Sequence, residues 1–418
     1  MKSRLVTLAG ALLLALCAGC AEKEPGKVTV SFLDTEDKSG AWAEIIANFE
    51  ERNPDIAINF IEGPASTNTR ESQYATSLMA QDPMYDLIYM DVVWVAKFAA
   101  AGWIVPLDDR FPLEEREKYL PGDIKAGVYD GHIWRIPLRS DGGMLYYRKD
   151  LLMEANLAPP ETFDELVELS KKLQTEEVRG LVFQGKQYEG LTCVFLEVLR
   201  GFGGDLLSPE GQPVINSPEG LSAMTWMRDI IFEHKIVPEA VRTYEENEAL
   251  ATFLSGKSVF MRNWPYAWKV TQEEGSPLVG KVGITTMTHA PREDPSATLG
   301  GWGFALSSYS RHKDAAWKFA RHCASAESVK IFAKRQGGAP SLKSLYEDPE
   351  LLALNPHYPE LYEVLLHAEP RPVHPQYAEI SDSVQRHVSA VITGLEMPEQ
   401  AVQAIDTDIR RILERRRW

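Results

Sequence analysis

Short apolar runs alternate along the chain with longer segments in which apolar residues recur every three or four positions. Val28 to Leu33 alternates apolar and polar residues over the length of a strand. Beyond it, Trp42, Ile45, Ile46 and Phe49 fall at i, i+3, i+4 and i+7, one face of a helix, and Asn53-Pro54 ends that helix. Ile56 to Ile61 is a second strand and Asp86 to Met90 a third, followed by a helix that Gly102 closes. Thr162, with Glu165 three residues later, is a capping box just after Pro159-Pro160. Ser258 to Met261 reads as a further strand. Ala315 to Lys334 predicts one long amphipathic helix with Asp314 as its N-cap, and Ala401 to Arg417 a terminal helix. Strands alternating with helices predict an α/β fold with parallel sheets covered on both faces. There is no internal repeat and no low-complexity tract.

The 418 residues are enough for two or three domains or lobes. With 44% hydrophobic and 25% charged residues the composition is that of a globular chain, which excludes a disordered or collagen-like one. The net charge of −16 repels nucleic acid and anionic membrane, so neither is expected as a partner. Lys2 and Arg4 precede an apolar run, Leu5 to Leu16, too short to span a bilayer but suited to a signal-peptide core. The run ends in Leu16-Cys17-Ala18-Gly19-Cys20, which resembles the bacterial lipobox although Cys17 stands where that pattern prefers Leu. The expectation is a leader at 1–19, a lipidated Cys20 and a polar tether over 20–27; plain signal cleavage without a lipid is the alternative. Beyond these, only Cys193 and Cys323 remain, too few for a disulfide framework, and they read as separate buried free thiols.

Catalytic signatures are scarce. Ser255-Gly256-Lys257-Ser258 has the tail of a phosphate-binding loop, but Ala251 stands where its first glycine belongs. No Gly-rich dinucleotide loop follows a strand, no nucleophile elbow appears, and no histidine pair has metal-ligand spacing on a helix. No metal, no cofactor and no catalytic residue is expected. The many carboxylates still leave room for a glycosidase pair.

Other segments bring carboxylate, arginine, tryptophan and glycine together in turns. Asp91 and Trp94 follow a strand's C-terminal end, where open α/β sheets bind ligands. Trp264-Pro265-Tyr266 follows the strand at 258–261. Gly300-Gly301-Trp302 allows close backbone approach, and Pro370-Arg371-Pro372 holds an arginine in stiff, extended chain. Charged groups of this kind bind vicinal hydroxyls, and a tryptophan covers the C–H face of a pyranose. Each residue also has an ordinary structural reading: Asp91 as a helix cap, Asp141 in a plain turn, Trp264 and Trp302 as core, Arg371 in an ion pair.

These segments, with Tyr89 to Val92, Asp141 to Leu152 and Gln184 to Leu191, resemble the solute-binding lipoproteins of ABC sugar importers, in particular the trehalose/maltose-binding branch. The resemblance runs along most of the mature chain. It implies a two-lobe periplasmic-binding-protein fold of type II with a ligand cleft between hinged lobes. The first lobe would comprise 28–140 and 301–345, the second 141–300 and 346–418. It implies a non-enzymatic, monomeric binding subunit on the outer face of the membrane, delivering a sugar to a permease that works with a separate ATPase. The sugar would be an α-linked disaccharide of the trehalose, maltose or sucrose type, or a glucosylglycerol-like glucoside. Position by position, the resemblance assigns ligand contacts to Asp91, Asp141, Trp264, Gly300, Gly301, Trp302 and Arg371. It further implies an acidic contact in the first strand–helix loop, Glu36 or Asp37, and a basic one on the second helix, Arg70. A carbohydrate-active lipoprotein enzyme or a sugar chemoreceptor are the alternative readings.

Overall fold

The computed structural model describes residues 26–64 and 66–415. The expected leader and the lipidation site Cys20 lie outside the described residues.

Thirteen strands are described. β1 (Val28–Thr35) and β2 (Ile56–Gly63) run parallel. β3 (Leu87–Asp91) lies beside β1, tied to it by the Asp86 N–H bond to the Ser31 carbonyl at 2.9 Å. A small hairpin, β4 (Val128–Tyr129) and β5 (His132–Ile133), precedes β6 (Ile136–Gly142). One residue later β7 (Met144–Arg148) begins, and it belongs to a different sheet. That second sheet adds β8 (Arg179–Val182), β9 (Ser258–Asn263) and β10 (Val282–Thr285) in the order β10-β7-β9-β8. The chain then returns as β11 (Ala297–Leu306), the central strand of the first sheet, flanked by β6 on one side and by β3 and β13 (Ala368–Pro370) on the other. β12 (Ala339–Pro340) pairs with β6.

The sheets are mixed rather than parallel. β1–β2 and β8–β9 are parallel as expected, but β6 and β3 run antiparallel to β11, and β7 antiparallel to β9 and β10. β6 leads the chain out of the first sheet and β11 brings it back, so the outgoing and returning strands lie side by side in opposite directions. The helix expected from Ala315 to Lys334 is two helices, Lys313–Cys323 and Ala326–Gln336. Ser325 caps the second by accepting from the Ser328 N–H, and Asp314 lies inside the first, paired with Arg110. A serine in mid-pattern offers the backbone a cap in place of a continued helix. The Thr162–Glu165 capping box is present.

Alternation along β7 and β9 divides the core. Tyr146 and Met261 face the aromatic core built on Phe32, Trp42, Phe304 and Phe319, whereas Leu145 and Phe260 face helices Glu189–Gly201, Tyr377–Thr393 and Pro398–Glu414. The expected division at 300/301 falls inside β11, which lies entirely in the first sheet. The helices from 349 to 366 bury Leu351, Tyr358, Leu361 and Val364 in the first core, because β13 must return to pair with β11 before the chain leaves for the second.

The crossing at Gly143 is locked by buried charge. Arg262 Nε donates to Glu197 Oε2 at 2.8 Å, its Nη2 donates to Glu197 Oε1, and Glu197 Oε1 also accepts from the Thr298 N–H at 3.2 Å. Arg262 and Glu197 are at most 1% exposed. A Cβ on Gly143 would stand 1.9 Å from Glu197 Oε1 and 2.2 Å from Arg262 Nη2. Cys193 and Cys323 are both buried and free, and burial pushes the Cys193 thiol up to about 12. Separating one partner of such a pair costs about 3–5 kcal/mol. Gly143→Ala should therefore lower stability by a comparable amount in urea unfolding; a variant within 1 kcal/mol of wild type would contradict the packing described.

Candidate functional site

Strand register gathers the site. Pairing of β11 with β3 sets Trp302 opposite Asp91, and pairing with β6 sets Gly300 opposite Asp141 and Trp302 opposite Arg139. Residues two apart on a strand share a face, so Arg139 and Asp141 point the same way. Asp34, the last residue but one of β1, lies at this end as well.

From these ends an alternating array of charge is built. Asp34, 8% exposed, accepts from Arg70 Nη1 at 2.6 Å and from the Trp42 indole N–H at 3.0 Å. The Arg70 guanidinium lies 4.4 Å over the Trp302 ring, on which Tyr89 also stacks at 5.3 Å. Arg139 Nε stands 3.6 Å from Asp141 Oδ2. Asp91 Oδ1 caps the turn Val92–Trp94 through the Val93 N–H and is 3.2 Å from Arg371 Nη2. Burial holds the carboxyls of Asp34 and Asp141 above their ordinary range, with Arg70 and Arg139 opposing it only in part.

The opposite wall comes from the second sheet and its helices. Glu189, at the start of helix Glu189–Gly201, accepts from Arg371 Nη1 at 2.8 Å and from the hydroxyls of Tyr377 and Ser381. Arg371, 6% exposed, is thus held between a carboxylate from each side. Trp264 lies over Arg262 at 4.1 Å, donates its indole N–H to Glu246 at 3.3 Å, and would stand 3.6 Å from a Cβ on Gly300. Gly301 has φ +130°, a conformation that favours glycine.

Of the sequence-derived candidates, the structure brings together Asp91, Asp141, Trp264, Gly300, Gly301, Trp302, Arg371 and Arg70. Glu36 and Asp37 stand apart from them in role. Asp37 caps helix Ala41–Arg52, accepting from the N–H groups of Ala41 and Ala43, and Glu36 is exposed beside Lys38. The buried acid at that edge is Asp34. The rule that marked Asp91, a carboxylate at the C-terminal end of a strand, marks Asp34 equally once β1 is seen to run to Thr35. Arg139, Glu189 and Glu246 were also passed over; Arg139 could have been found by its i, i+2 relation to Asp141. Trp302 is only 7% exposed, with Arg70 on its ring, so it is the platform for a guanidinium, and Trp264 is the half-buried indole.

The array presents carboxylates, guanidinium groups and an indole in one place, which suits a neutral, polyhydroxylated ligand with donors and acceptors around its rim. Among the described residues no group of three or more His, Cys, Asp or Glu is arranged to hold a metal. A hollow of about 480 Å³ lies elsewhere, lined by Glu115, Lys118, Arg321 and Lys343 among others, and includes none of the candidate residues.

Residues 34–330 match the family model described as bacterial extracellular solute-binding protein. A probable ABC transporter-binding protein of Deinococcus radiodurans is 32% identical over 392 residues, covering 91% of this chain and 90% of that protein. A mannitol-binding protein of Pseudomonas aeruginosa is 26% identical over 393 residues, covering 88% of each. The maltose-bound structure of T. maritima MalE3 superposes with a TM-score of 0.83 and 37% identity, covering 92% of this chain and 100% of that one. The architecture these proteins share is the two-lobe solute-binding fold.

The raised Asp141 carboxyl yields a sign for stability. In the unfolded chain it loses its proton near the ordinary value of 3.8, while the native state keeps it to higher pH. Its charge therefore costs native stability above the raised value and nothing below about 3.8. Asp141→Asn should raise the unliganded melting temperature at pH 7.5, with the gain shrinking toward pH 4. A loss at pH 7.5, or an equal gain at both pH values, would refute this.

Proposed function

Because the chain belongs to the bacterial extracellular solute-binding proteins, we propose that it is the high-affinity sugar-binding subunit of an ABC importer. It is a binding protein and not an enzyme, as its family and relatives are. No described helix is long and apolar enough to cross a membrane, and the family is extracellular. In our reading the mature protein is a monomer tethered through a lipidated Cys20. It hands its ligand to membrane permease subunits, and a separate ATPase supplies the energy.

The ligand we favour is an α-linked disaccharide of the maltose, trehalose or sucrose type, or a glucosylglycerol-like glucoside. The observation that carries the reading is Arg371, held between Asp91 and Glu189 on opposite walls. A ligand entering between the walls meets groups from both, so its binding energy favours their approach. We place the hinge where the chain passes between sheets: at 143, between 285 and 297, and at 371–376. Support for a disaccharide comes from the maltose-bound relative. The mannitol-binding relative supports a linear polyol.

A thermal-shift panel of maltose, trehalose, sucrose, glucosylglycerol and mannitol separates these. A ligand at 100 times its Kd adds about 2.7 kcal/mol of stability. A shift with mannitol alone would overturn the disaccharide reading, and hydrolysis of the bound sugar would overturn the binding-protein reading.

Variants then test the site. Hydrogen bonds to charged groups contribute about 1.5–3 kcal/mol, and each 1.4 kcal/mol is tenfold in affinity. Asp91→Asn keeps the cap on the Val93 N–H but loses the charge, and should weaken binding of the best ligand by about 10- to 100-fold with a near-native melting curve. Trp264→Ala should weaken it by at least about tenfold. Calorimetric titration at wild-type affinity for both variants would place the ligand elsewhere.

A further inference from the structure

Behind the ligand-facing strands lies a second charged pair that the proposed binding chemistry does not use. Asp123, on the short helix Pro121–Ala126, and Arg135, just before β6, are both 0% exposed. Arg135 Nη2 stands 3.7 Å from Asp123 Oδ1 and donates to the Asp123 main-chain carbonyl at 3.3 Å. Its Nη1 donates to the Gly301 carbonyl at 3.2 Å. A Cβ on Gly301 would stand 2.7 Å from the Arg139 carbonyl oxygen and 3.3 Å from Asp123 Oδ1. The Gly301 backbone is therefore confined between β6 and the Asp123 carboxylate.

The same helix reaches the other ligand segment. A Cβ on Gly122 would stand 2.5 Å from the Ala368 carbonyl oxygen, in the strand that leads directly to Arg371. The Asp123 carboxylate is buried with the hydroxyls of Ser140 and Ser341 beside it, and Arg135 Nε is buried without a hydrogen-bond partner. In a pair removed from water, the loss of one charge leaves the other without its counter-charge.

We propose that Asp123 and Arg135 are positioning residues for the ligand site: the pair holds the Gly301 carbonyl from behind and so sets the angle at which Trp302 carries Arg70, and protonation of Asp123 loosens that hold. The proposal rests on the sugar-site reading above. Burial pushes the Asp123 carboxyl up to about 7, with Arg135 and the hydroxyls of Ser140 and Ser341 opposing it and Asp141 adding repulsion. The groups facing the pair are Ser140 and Asp141 from β6, Tyr89 and Asp91 from β3, and Ser341 and Tyr346 from the segment after β12. Lys125, on Asp123's own helix, is paired with Glu369 of β13. Above pH 7 the carboxylate is charged and pairs with Arg135. Below it Arg135 is left as a buried cation without a full counter-charge, and its bond to Gly301 shifts.

The test uses the full protein labelled with 5-fluorotryptophan and followed by fluorine NMR from pH 5 to 9. The Trp302 resonance is assigned by its loss in Trp302→Phe. In the wild type it should move with a midpoint near pH 7, and in Asp123→Asn it should stay between pH 6 and 8 at the acid-form position. An unmoved wild-type resonance overturns the proposal, even where the variant fails to fold, and so does an equal movement in the variant. With maltose as probe, wild-type affinity should be at least threefold weaker at pH 6 than at pH 8, and the ratio should be near one in Asp123→Asn. The same ratio in both proteins also overturns it. Failure of maltose to bind at either pH counts against the disaccharide reading, while the fluorine titration still decides the role of the pair.

Discussion

The buried pairing of Arg262 with Glu197 is the interaction on which the rest of the arrangement depends. It joins β9 to helix Glu189–Gly201, and through the Thr298 N–H it reaches the start of β11. It leaves no room for a side chain at residue 143, so the chain passes from one sheet to the other as bare backbone. It also supplies the surface on which Trp264 lies. An ion pair removed from water contributes little net stability compared with apolar packing, but it is strict about geometry. Strict geometry is what a crossing point between two sheets requires.

The site repeats the same device at lower burial. Carboxylate and guanidinium alternate from Asp34 through Arg70, and from Asp91 through Arg371 to Glu189. Arginine serves here better than lysine because its planar fork can contact two carboxylates at once or lie flat on an indole. Arg371 does the first and Arg70 the second. Each of these charges is thus already held by a partner of opposite sign, which limits the cost of its burial. The raised carboxyls of Asp34 and Asp141 mark where the compensation is incomplete. Incomplete compensation of this kind is what singles these carboxyls out as candidates for a functional site.

Further direct contacts join the surroundings of the two sheets. Arg200 donates to the Pro370 carbonyl at 2.9 Å, Lys269 to the Arg335 carbonyl at 2.8 Å, and Trp268 stacks on His357 at 4.1 Å. Burial lowers the His357 imidazole to about 3, so it stays neutral against the indole at physiological pH. One apolar core runs beneath both sheets, since Met144, Tyr146 and Met261 of the second sheet pack in the cluster that holds Phe32, Trp42 and Phe304.

The sequence by itself determined most of the elements and singled out residues that the fold brings together in the candidate site. The period of its apolar residues placed β1, β2 and β3 and the helix after Gly40. Its glycine and proline punctuation marked the Gly300-Gly301-Trp302 and Pro370-Arg371-Pro372 segments, which meet in space although 68 or more residues separate them. Only the tertiary structure decided which carboxylate of the first loop is buried. Asp34 and Asp37 are both acids beside a helix start, and nothing local distinguishes a cap from a partner for Arg70, which is 36 positions away. The same holds for Trp302, whose ring is taken by Arg70, and for the mixed sheet direction. Periodicity reports which face of an element is apolar; it carries no record of what that face meets, because partners are set by long-range register.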